Sequence, residues 1–370
     1  MNKINKIKSW VIFSAGGTGG HIFPALAVAE RLRELHPDLG ILFIGNKNRM
    51  EANIIPEHNF PIILLDMHGV NRKNLLKNIN LPFKLIKSWM EINKIFKRFK
   101  PKVAIGFGGY VTYPVLKYAQ WKGVPTIVQE QNSTPGLANI KLSKKASAIC
   151  VAYPTIKNYI KTPNVHLIGN LVRNEILVPM SKEQAANFWN LDINKKTILA
   201  IGGSLGAKAI NDFICNILPD LIKNNIQLIW QTGDKYSIES CINHDKINNS
   251  IIAKPFINEM REAYTMADVV IARAGAGTLA ELAALAKPSI IIPSPNVVNN
   301  HQYLNAQALA DNDAIILLDE NLLDSKGKEM IIDLINNDSL QKKLSENISK
   351  FHNPNAMDNI IELIEKYLKN

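Results

Sequence analysis

Val11-Ile-Phe-Ser-Ala-Gly-Gly-Thr-Gly-Gly20 and Ile198-Leu-Ala-Ile-Gly-Gly-Ser-Leu-Gly-Ala207 each run a short apolar stretch into a glycine-rich turn and then into a helix-compatible segment. Apolar runs this short, bounded by turn residues, read as strands buried on both faces, the habit of parallel sheets covered by helices. Working outward from the first, further runs lie at Trp10–Ser14, Ile41–Ile44, Val103–Gly106, Thr126–Gln129, Ala148–Val151 and Val165–Ile168. The second is accompanied by Thr197–Ile201, Ile226–Gln231, Ile251–Ala253, Val269–Ala272, Ser289–Ile292 and Ala314–Leu317. Longer amphipathic segments separate them, so each half predicts a complete doubly wound α/β unit. A chain of 370 residues also exceeds the size at which one core keeps growing. The expected fold is therefore two Rossmann-like, doubly wound parallel-sheet domains facing a central cleft, with a boundary near Gly169–Arg173.

Hydrophobic residues at 46% and charged residues at 20% are ordinary for globular chains. Cys150, Cys215 and Cys241 are odd in number and form no C-x-x-C pair, which predicts neither a disulfide framework nor a zinc ribbon and fits a reducing compartment. Lys3, Lys6 and Lys8 resemble the start of a secretion signal. The apolar run behind them, Trp10–Phe13, is too short to complete one, and no stretch approaches the roughly 18 apolar residues of a membrane span. A soluble cytoplasmic protein, or one peripheral to a membrane, is expected. A formal charge of +11 and a pI near 9.3 point to an anionic partner: nucleic acid, anionic lipid or a phosphorylated substrate.

Three strand ends carry glycine pairs: Gly16-Gly17-Thr18-Gly19-Gly20, Gly106-Phe107-Gly108-Gly109-Tyr110 and Gly202-Gly203-Ser204-Leu205-Gly206. Glycine admits positive φ and close backbone approach, and the helix start behind it presents N–H groups to an anion. One such turn is as easily a packing device. Three at the strand ends where open α/β sheets bind ligands predict a diphosphate site. A nicotinamide cofactor fits poorly, because the first turn is not a clean G-x-G-x-x-G and Asn46 and Lys47 follow the second strand where an acidic ribose ligand belongs. The Walker pattern is absent as well. A fourth junction, Ala272-Arg-Ala-Gly-Ala-Gly-Thr-Leu-Ala-Glu-Leu282, opens a helix whose first amides and Thr278 hydroxyl suit a phosphate. Glu281, one turn in, has a carboxylate able to take both hydroxyls of a ribose, or simply to complement the helix dipole.

Four motifs together resemble the MurG family, glycosyltransferase family 28, a branch of the GT-B glycosyltransferases. They are Gly16-Gly-Thr-Gly-Gly-His-Ile-Phe-Pro-Ala25; Gly106-Phe-Gly-Gly-Tyr-Val-Thr-Tyr-Pro114; Gln129-Glu-Gln-Asn-Ser-Thr-Pro-Gly136 with Asn139; and Ala274-Gly-Ala-Gly-Thr-Leu-Ala-Glu281 followed by Asn300-His-Gln-Tyr-Leu-Asn-Ala306. Their order and spacing match over essentially the whole chain. Two positions depart: Leu171 stands where proline is usual and Gln129 where histidine is common.

The resemblance implies the GT-B fold, with residues 1–170 as an acceptor and membrane-associating domain, residues 171–355 as the donor domain, and the last helix, 356–370, returning to the first. It implies an inverting transfer of N-acetylglucosamine from UDP-N-acetylglucosamine to the muramoyl 4-hydroxyl of a polyprenyl-pyrophosphoryl muramoyl-pentapeptide, a step of peptidoglycan synthesis at the cytoplasmic face of the inner membrane. By the same carry-over the backbone at Ile257 reads uracil, Glu281 holds the ribose, and Ser204, Arg173 and the turn Ala276, Gly277, Thr278, with Leu279 and Ala280 behind it, handle the diphosphate. Asn132 and Gln302 contact the sugar, Thr18, Gly19 and Gly20 close from the first domain, and the acceptor pyrophosphate lies near Gly16, Gly17, Gly108, Gly109 and Tyr110.

Inversion requires a base on the acceptor hydroxyl, and His21, just behind the first glycine turn, has the right chemistry. It serves equally well as a helix cap or loop tie. No cofactor is expected. The only D-x-D sequence, Asp311-Asn312-Asp313, sits among turn formers before an apolar run, so no essential metal is expected either.

Between Asn71 and Lys102, Arg72, Lys73, Lys77, Lys84, Lys87, Lys94, Lys97, Arg98, Lys100 and Lys102 face a single acid, Glu91, with Leu75, Leu76, Ile79, Leu81, Phe83, Ile86 and Trp89 interleaved. That mixture suits an anionic bilayer surface. Nucleic acid is not expected, because no helix-turn-helix, RNP or zinc pattern accompanies it. Rivals to transfer are an epimerase on the same scaffold, a non-catalytic sugar-nucleotide binder, and a glycolipid synthase with a diacylglycerol acceptor.

Overall fold

Val, Ile and Phe without polar alternation favour strands hidden on both faces, and the computed structural model arranges them so. It describes residues 7, 9–67, 81–203, 206–238, 241, 250–297 and 300–369. The chain divides into two units, one of Met1–Leu171 with Pro354–Asn370, the other of Val172–Asn353.

The first unit holds β1 (Ser9–Ala15), β2 (Leu39–Asn46), β3 (Ile62–Leu65), β4 (Val103–Gly108), β5 (Thr126–Glu130), β6 (Ala148–Val151) and β7 (Val165–Leu167) in the order β3-β2-β1-β4-β5-β6-β7, every pair parallel. The second holds β8 (Thr197–Ile201), β9 (Gln227–Gln231), β10 (Ile251–Lys254), β11 (Val269–Ala272), β12 (Ser289–Ile291) and β13 (Ile316–Leu317) in the order β10-β9-β8-β11-β12-β13, again all parallel. Strand order reverses between β1 and β4 and between β8 and β11. At such a switch point the connections leave to opposite sides and open a crevice at the carboxyl ends of the strands. The four glycine-bearing turns singled out in the sequence follow these four strands.

One face of the first sheet stacks Phe13 between Phe43 and Phe107, with ring centroids 5.2 and 5.8 Å apart. Over it lie the helix Gly19–Leu35 and Ile360, Ile361 and Ile364 of the helix Ala356–Leu368, in one buried cluster. Tyr367 donates to the Ser147 carbonyl at 3.1 Å, and Glu365 meets the His36 ring at 2.7 Å, so the last helix belongs to this unit's core. The opposite face is closed by the helices Leu81–Phe99 and Thr112–Trp121.

The predicted strands are all present, with two differences. Ile62–Leu65 is an additional edge strand, apolar at all four positions and partly buried, and the last strand shortens to Ile316–Leu317. The cysteines require a correction: Cys215, on the helix Lys208–Lys223, and Cys241 are joined by a disulfide, their Cα atoms 5.2 Å apart. Their separation of 26 residues carries no spacing signature that would have announced it. Cys150 is free and buried, and burial pushes its thiol up to about 12. No helix among the described residues is long and apolar enough to cross a membrane.

Candidate active site

In the first unit three turns are bound to one another. Gly108 and Gly109 adopt φ of 116° and 92°, and a side chain on Gly109 would bring its Cβ within 2.5 Å of the Gly16 carbonyl oxygen, so only glycine lets these two backbones touch. Thr112 closes the second turn by donating to the Ser14 and Gly108 carbonyls at 3.1 and 2.7 Å. Gln131 donates to the Phe107 carbonyl at 2.7 Å, tying the third turn to the second. The buried Glu130 organises that third turn: it accepts from the backbone and side-chain nitrogens of Asn132 at 3.0 and 3.1 Å, from Gly136 N–H at 3.0 Å and from Asn139 at 2.8 Å.

His21 sits in the first turn of the helix Gly19–Leu35. Its Nδ1 lies 2.9 Å from the Gly16 carbonyl and 3.4 Å from the Thr18 hydroxyl. A carbonyl only accepts, so the neutral ring carries its proton on Nδ1 and keeps Nε2 as the basic nitrogen. A Cβ on Gly108 would come within 2.7 Å of that Nε2, which shows the ring lying against the second turn. The Gly17 N–H is taken by Glu51 at 2.9 Å. At the helix start behind it the Gly19 and Gly20 amides have no intrahelical acceptor. Tyr110, after the second turn, is exposed.

In the second unit Arg173 and Glu281 meet. Glu281 Oε1 accepts from Arg173 Nε at 3.2 Å and Nη2 at 3.0 Å, and its Oε2 accepts from the Tyr264 hydroxyl at 2.9 Å. Burial pushes the Glu281 carboxyl up, against the Arg173 charge, which pulls it down. Burial also works against the Arg173 charge, but Glu281 and then Glu175, 3.0 Å away, outweigh it and raise the guanidinium. Tyr264, enclosed and beside a carboxylate, is held well above the usual phenol range and remains a donor.

The helix Ala276–Ala284 begins at Gly275 without a side-chain cap. Leu279 N–H already donates to the Gly275 carbonyl at 3.0 Å, and Leu279 and Ala280 are buried, so the amides of Ala276, Gly277 and Thr278 are those left without an intrahelical acceptor. Gln231 bridges the glycine turn after β8 and the predicted Ile257, donating to the Gly203 carbonyl at 2.9 Å and accepting from Ile257 N–H at 3.0 Å. Gln302 accepts from Ser294 N–H at 2.9 Å. Ser204 lies outside the described residues.

Sequence reasoning missed Glu51, Glu130, Gln231 and Tyr264, all of which hold predicted site residues in place. Asn46, weighed against a dinucleotide site, is buried and accepts from Met67 N–H at 3.1 Å. Asp311, Asn312 and Asp313 occupy a turn, where Asp313 pairs with Lys343 at 2.8 Å. Of the basic stretch, Arg72, Lys73, Lys77, Leu75, Leu76 and Ile79 lie outside the described residues. The helix Leu81–Phe99 buries Ile92, Ile95 and Phe96 and leaves Leu85, Ile86 and Met90 exposed. Trp89 packs on Tyr118 and Trp121, and Trp121, 63% exposed, carries Lys122 over its ring at 3.9 Å.

Two open, doubly wound parallel sheets with glycine turns at both switch points have the architecture of the GT-B fold. The chain belongs to glycosyltransferase family 28: its N-terminal domain model matches residues 11–151 and its C-terminal domain model residues 197–362. The chain is 41% identical, over 97% of its length and 98% of the relative's, to the UDP-N-acetylglucosamine–N-acetylmuramyl-(pentapeptide) pyrophosphoryl-undecaprenol N-acetylglucosamine transferase of Christiangramia forsetii. A Flavobacterium psychrophilum protein of the same name is 43% identical over 96% of this chain and 97% of its own. The crystal structure of Acinetobacter baumannii MurG superposes with a TM-score of 0.75 at 29% identity, covering 97% of this chain and 99% of that one.

Proposed function

We propose that this chain transfers N-acetylglucosamine from UDP-N-acetylglucosamine to the muramoyl 4-hydroxyl of undecaprenyl-pyrophosphoryl-N-acetylmuramyl-pentapeptide, with inversion, during peptidoglycan synthesis. The observation that carries this reading is the near-full-length similarity to transferases of that name, at 41% and 43% identity. Membership of the same family alone would not choose the acceptor.

In this reading the Val172–Asn353 unit takes the donor. The Ile257 carbonyl accepts from uracil, Glu281 binds the ribose hydroxyls, and Arg173, Ser204 and the amides of Ala276, Gly277 and Thr278 take the diphosphate. Asn132 and Gln302 serve the sugar. The unit Met1–Leu171 takes the acceptor, its pyrophosphate near Gly16, Gly17, Gly108, Gly109 and Tyr110. His21 Nε2 removes the proton from the acceptor hydroxyl as that oxygen bonds to the anomeric carbon. The bond from that carbon to the diphosphate breaks, and UDP leaves with the electron pair. The Gly16 carbonyl, accepting from Nδ1–H, stabilises the imidazolium that forms.

The exposed apolar residues of the helix Leu81–Phe99, with Trp121 and the surrounding lysines, suit the cytoplasmic face of an anionic inner membrane, which a lipid-linked acceptor requires. Binding to liposomes that did not depend on anionic lipid would count against this surface.

The test is transfer of labelled N-acetylglucosamine to a short-chain lipid-diphosphate-muramoyl-peptide with chelator present. Product is expected without added metal, and His21→Ala is expected to lose roughly 10²- to 10⁴-fold in turnover with UDP affinity kept. Epimerisation of the sugar without transfer, or wild-type turnover by His21→Ala, would overturn the acceptor or the base assignment respectively.

A further inference from the structure

We propose that Glu51 is a positioning residue for His21, acting through the first glycine turn; this rests on the reading of His21 as the base. Glu51 opens the short helix Glu51–Glu57 and is completely buried. Its Oε2 accepts from Gly17 N–H at 2.9 Å and its Oε1 from Asn46 N–H at 3.0 Å, so one carboxylate staples the turn after β1 to the end of β2. Among the described residues no Lys or Arg pairs with it. A buried carboxylate without a cation is unfavourable unless backbone donors satisfy it, and here they do so at the turn that carries the chemistry.

The surrounding sequence makes room for this acid. A Cβ on Gly16 would collide with the Glu51 carboxylate, and one on Gly45 would meet its Cγ at 2.7 Å. The same Gly16 supplies the carbonyl that receives His21 Nδ1–H at 2.9 Å. A continuous path therefore runs from Glu51 through Gly17 N–H and the Gly16 peptide to the imidazole. The carboxylate fixes the turn, the turn fixes the carbonyl, and the carbonyl selects the tautomer that leaves Nε2 basic.

Glu51→Gln keeps the shape but replaces one acceptor oxygen with an NH₂ group, which must confront either Gly17 N–H or Asn46 N–H. The experiment compares wild type, Glu51→Gln, His21→Ala and the double variant in the transfer assay, with UDP affinity measured on the same preparations as the check on folding. Glu51→Gln is expected to lower kcat roughly ten- to a hundredfold, leave the donor KM within about twofold, and add less than about threefold to the loss already caused by His21→Ala. Nitrogen-15 NMR of labelled histidine is expected to show neutral His21 protonated at Nδ1 in wild type and shifted toward the Nε2–H tautomer in Glu51→Gln. Should that variant not fold, Gly16→Ala displaces the carboxylate with its charge intact, and its loss should likewise shrink in the His21→Ala background. A crippled His21→Ala beside an active Glu51→Gln, losses that multiply, or an unchanged tautomer overturns the positioning role alone. An active His21→Ala overturns the base assignment and the positioning role with it.

Discussion

Replacing Glu281 by Gln separates a binding role from a structural one. The carboxylate is 15% exposed, joined to Arg173 by two hydrogen bonds at 3.0 and 3.2 Å and to Tyr264 by one at 2.9 Å. A glutamine oxygen can keep both Arg173 donors, and its NH₂ can donate to the Tyr264 hydroxyl, which simply reverses its role. Charge assistance is lost, at about 1 kcal/mol per bond. Burial is the largest influence on this carboxyl and disfavours its charge, so removing the charge offsets that loss. The unliganded stability should change by no more than ~1 kcal/mol, or about 2–4 °C for a unit of this size. A ribose, by contrast, needs two anionic acceptors. Losing one charged hydrogen bond costs about 1.5–3 kcal/mol, roughly 10- to 150-fold in UDP affinity. Titration calorimetry with UDP and thermal denaturation without it read the two effects. UDP affinity within twofold of wild type would refute the ribose assignment, and an unliganded midpoint lowered by more than ~10 °C would make Glu281 chiefly a structural anchor.

Three further outcomes follow from the same geometry. Gly109→Ala should reduce transfer by at least ~10²-fold while UDP affinity holds, because φ of 92° and the Gly16 carbonyl both exclude a methyl group; near-normal transfer would mean that the two turns separate freely. Gln231→Leu leaves Gly203 and Ile257 without their shared partner, and UDP titration should show a loss of about thirtyfold, at ~1 kcal/mol for each of the two hydrogen bonds, with equal affinity refuting the bridge. Burial lowers Lys287 from 10.5 to about 8, so between those values the unfolded chain binds the extra proton. Stability of the second unit should therefore rise as pH climbs from about 8 toward 10.5, and denaturation midpoints for Lys287→Met should lose that rise.

Much of the fold was legible because strands buried on both faces need no alternation, and stretches such as Val103–Gly106 or Val269–Ala272 stand out against their surroundings. Ile62–Leu65 was missed although all four of its residues are apolar, because a run this short behind Pro61 carries no periodicity to separate a strand from other buried structure. The glycine turns were legible through φ and close approach, which only one residue type supplies. Their supports were not. Glu51 shares a helix face with Ile55, and an acid in a buried stripe is the one local signal that it had. Gln231 and Tyr264 sit inside a strand and a helix where nothing marks them, and Arg173 meets Glu281 across 108 residues. Cys215 and Cys241 likewise meet through tertiary structure alone.

The return of Ala356–Leu368 to the first unit sets an order on biosynthesis. Ile360, Ile361 and Ile364 complete a core whose other members, Phe13, Val28 and Leu32 among them, are made near the beginning of the chain. Roughly 180 residues of the second unit must be translated in between, which at ribosomal rates takes about ten to forty seconds. Throughout that interval the nascent first unit displays an uncovered apolar groove, and the second unit can finish folding before the first. A chaperone that shields this groove would act during synthesis and be displaced by the protein's own last helix.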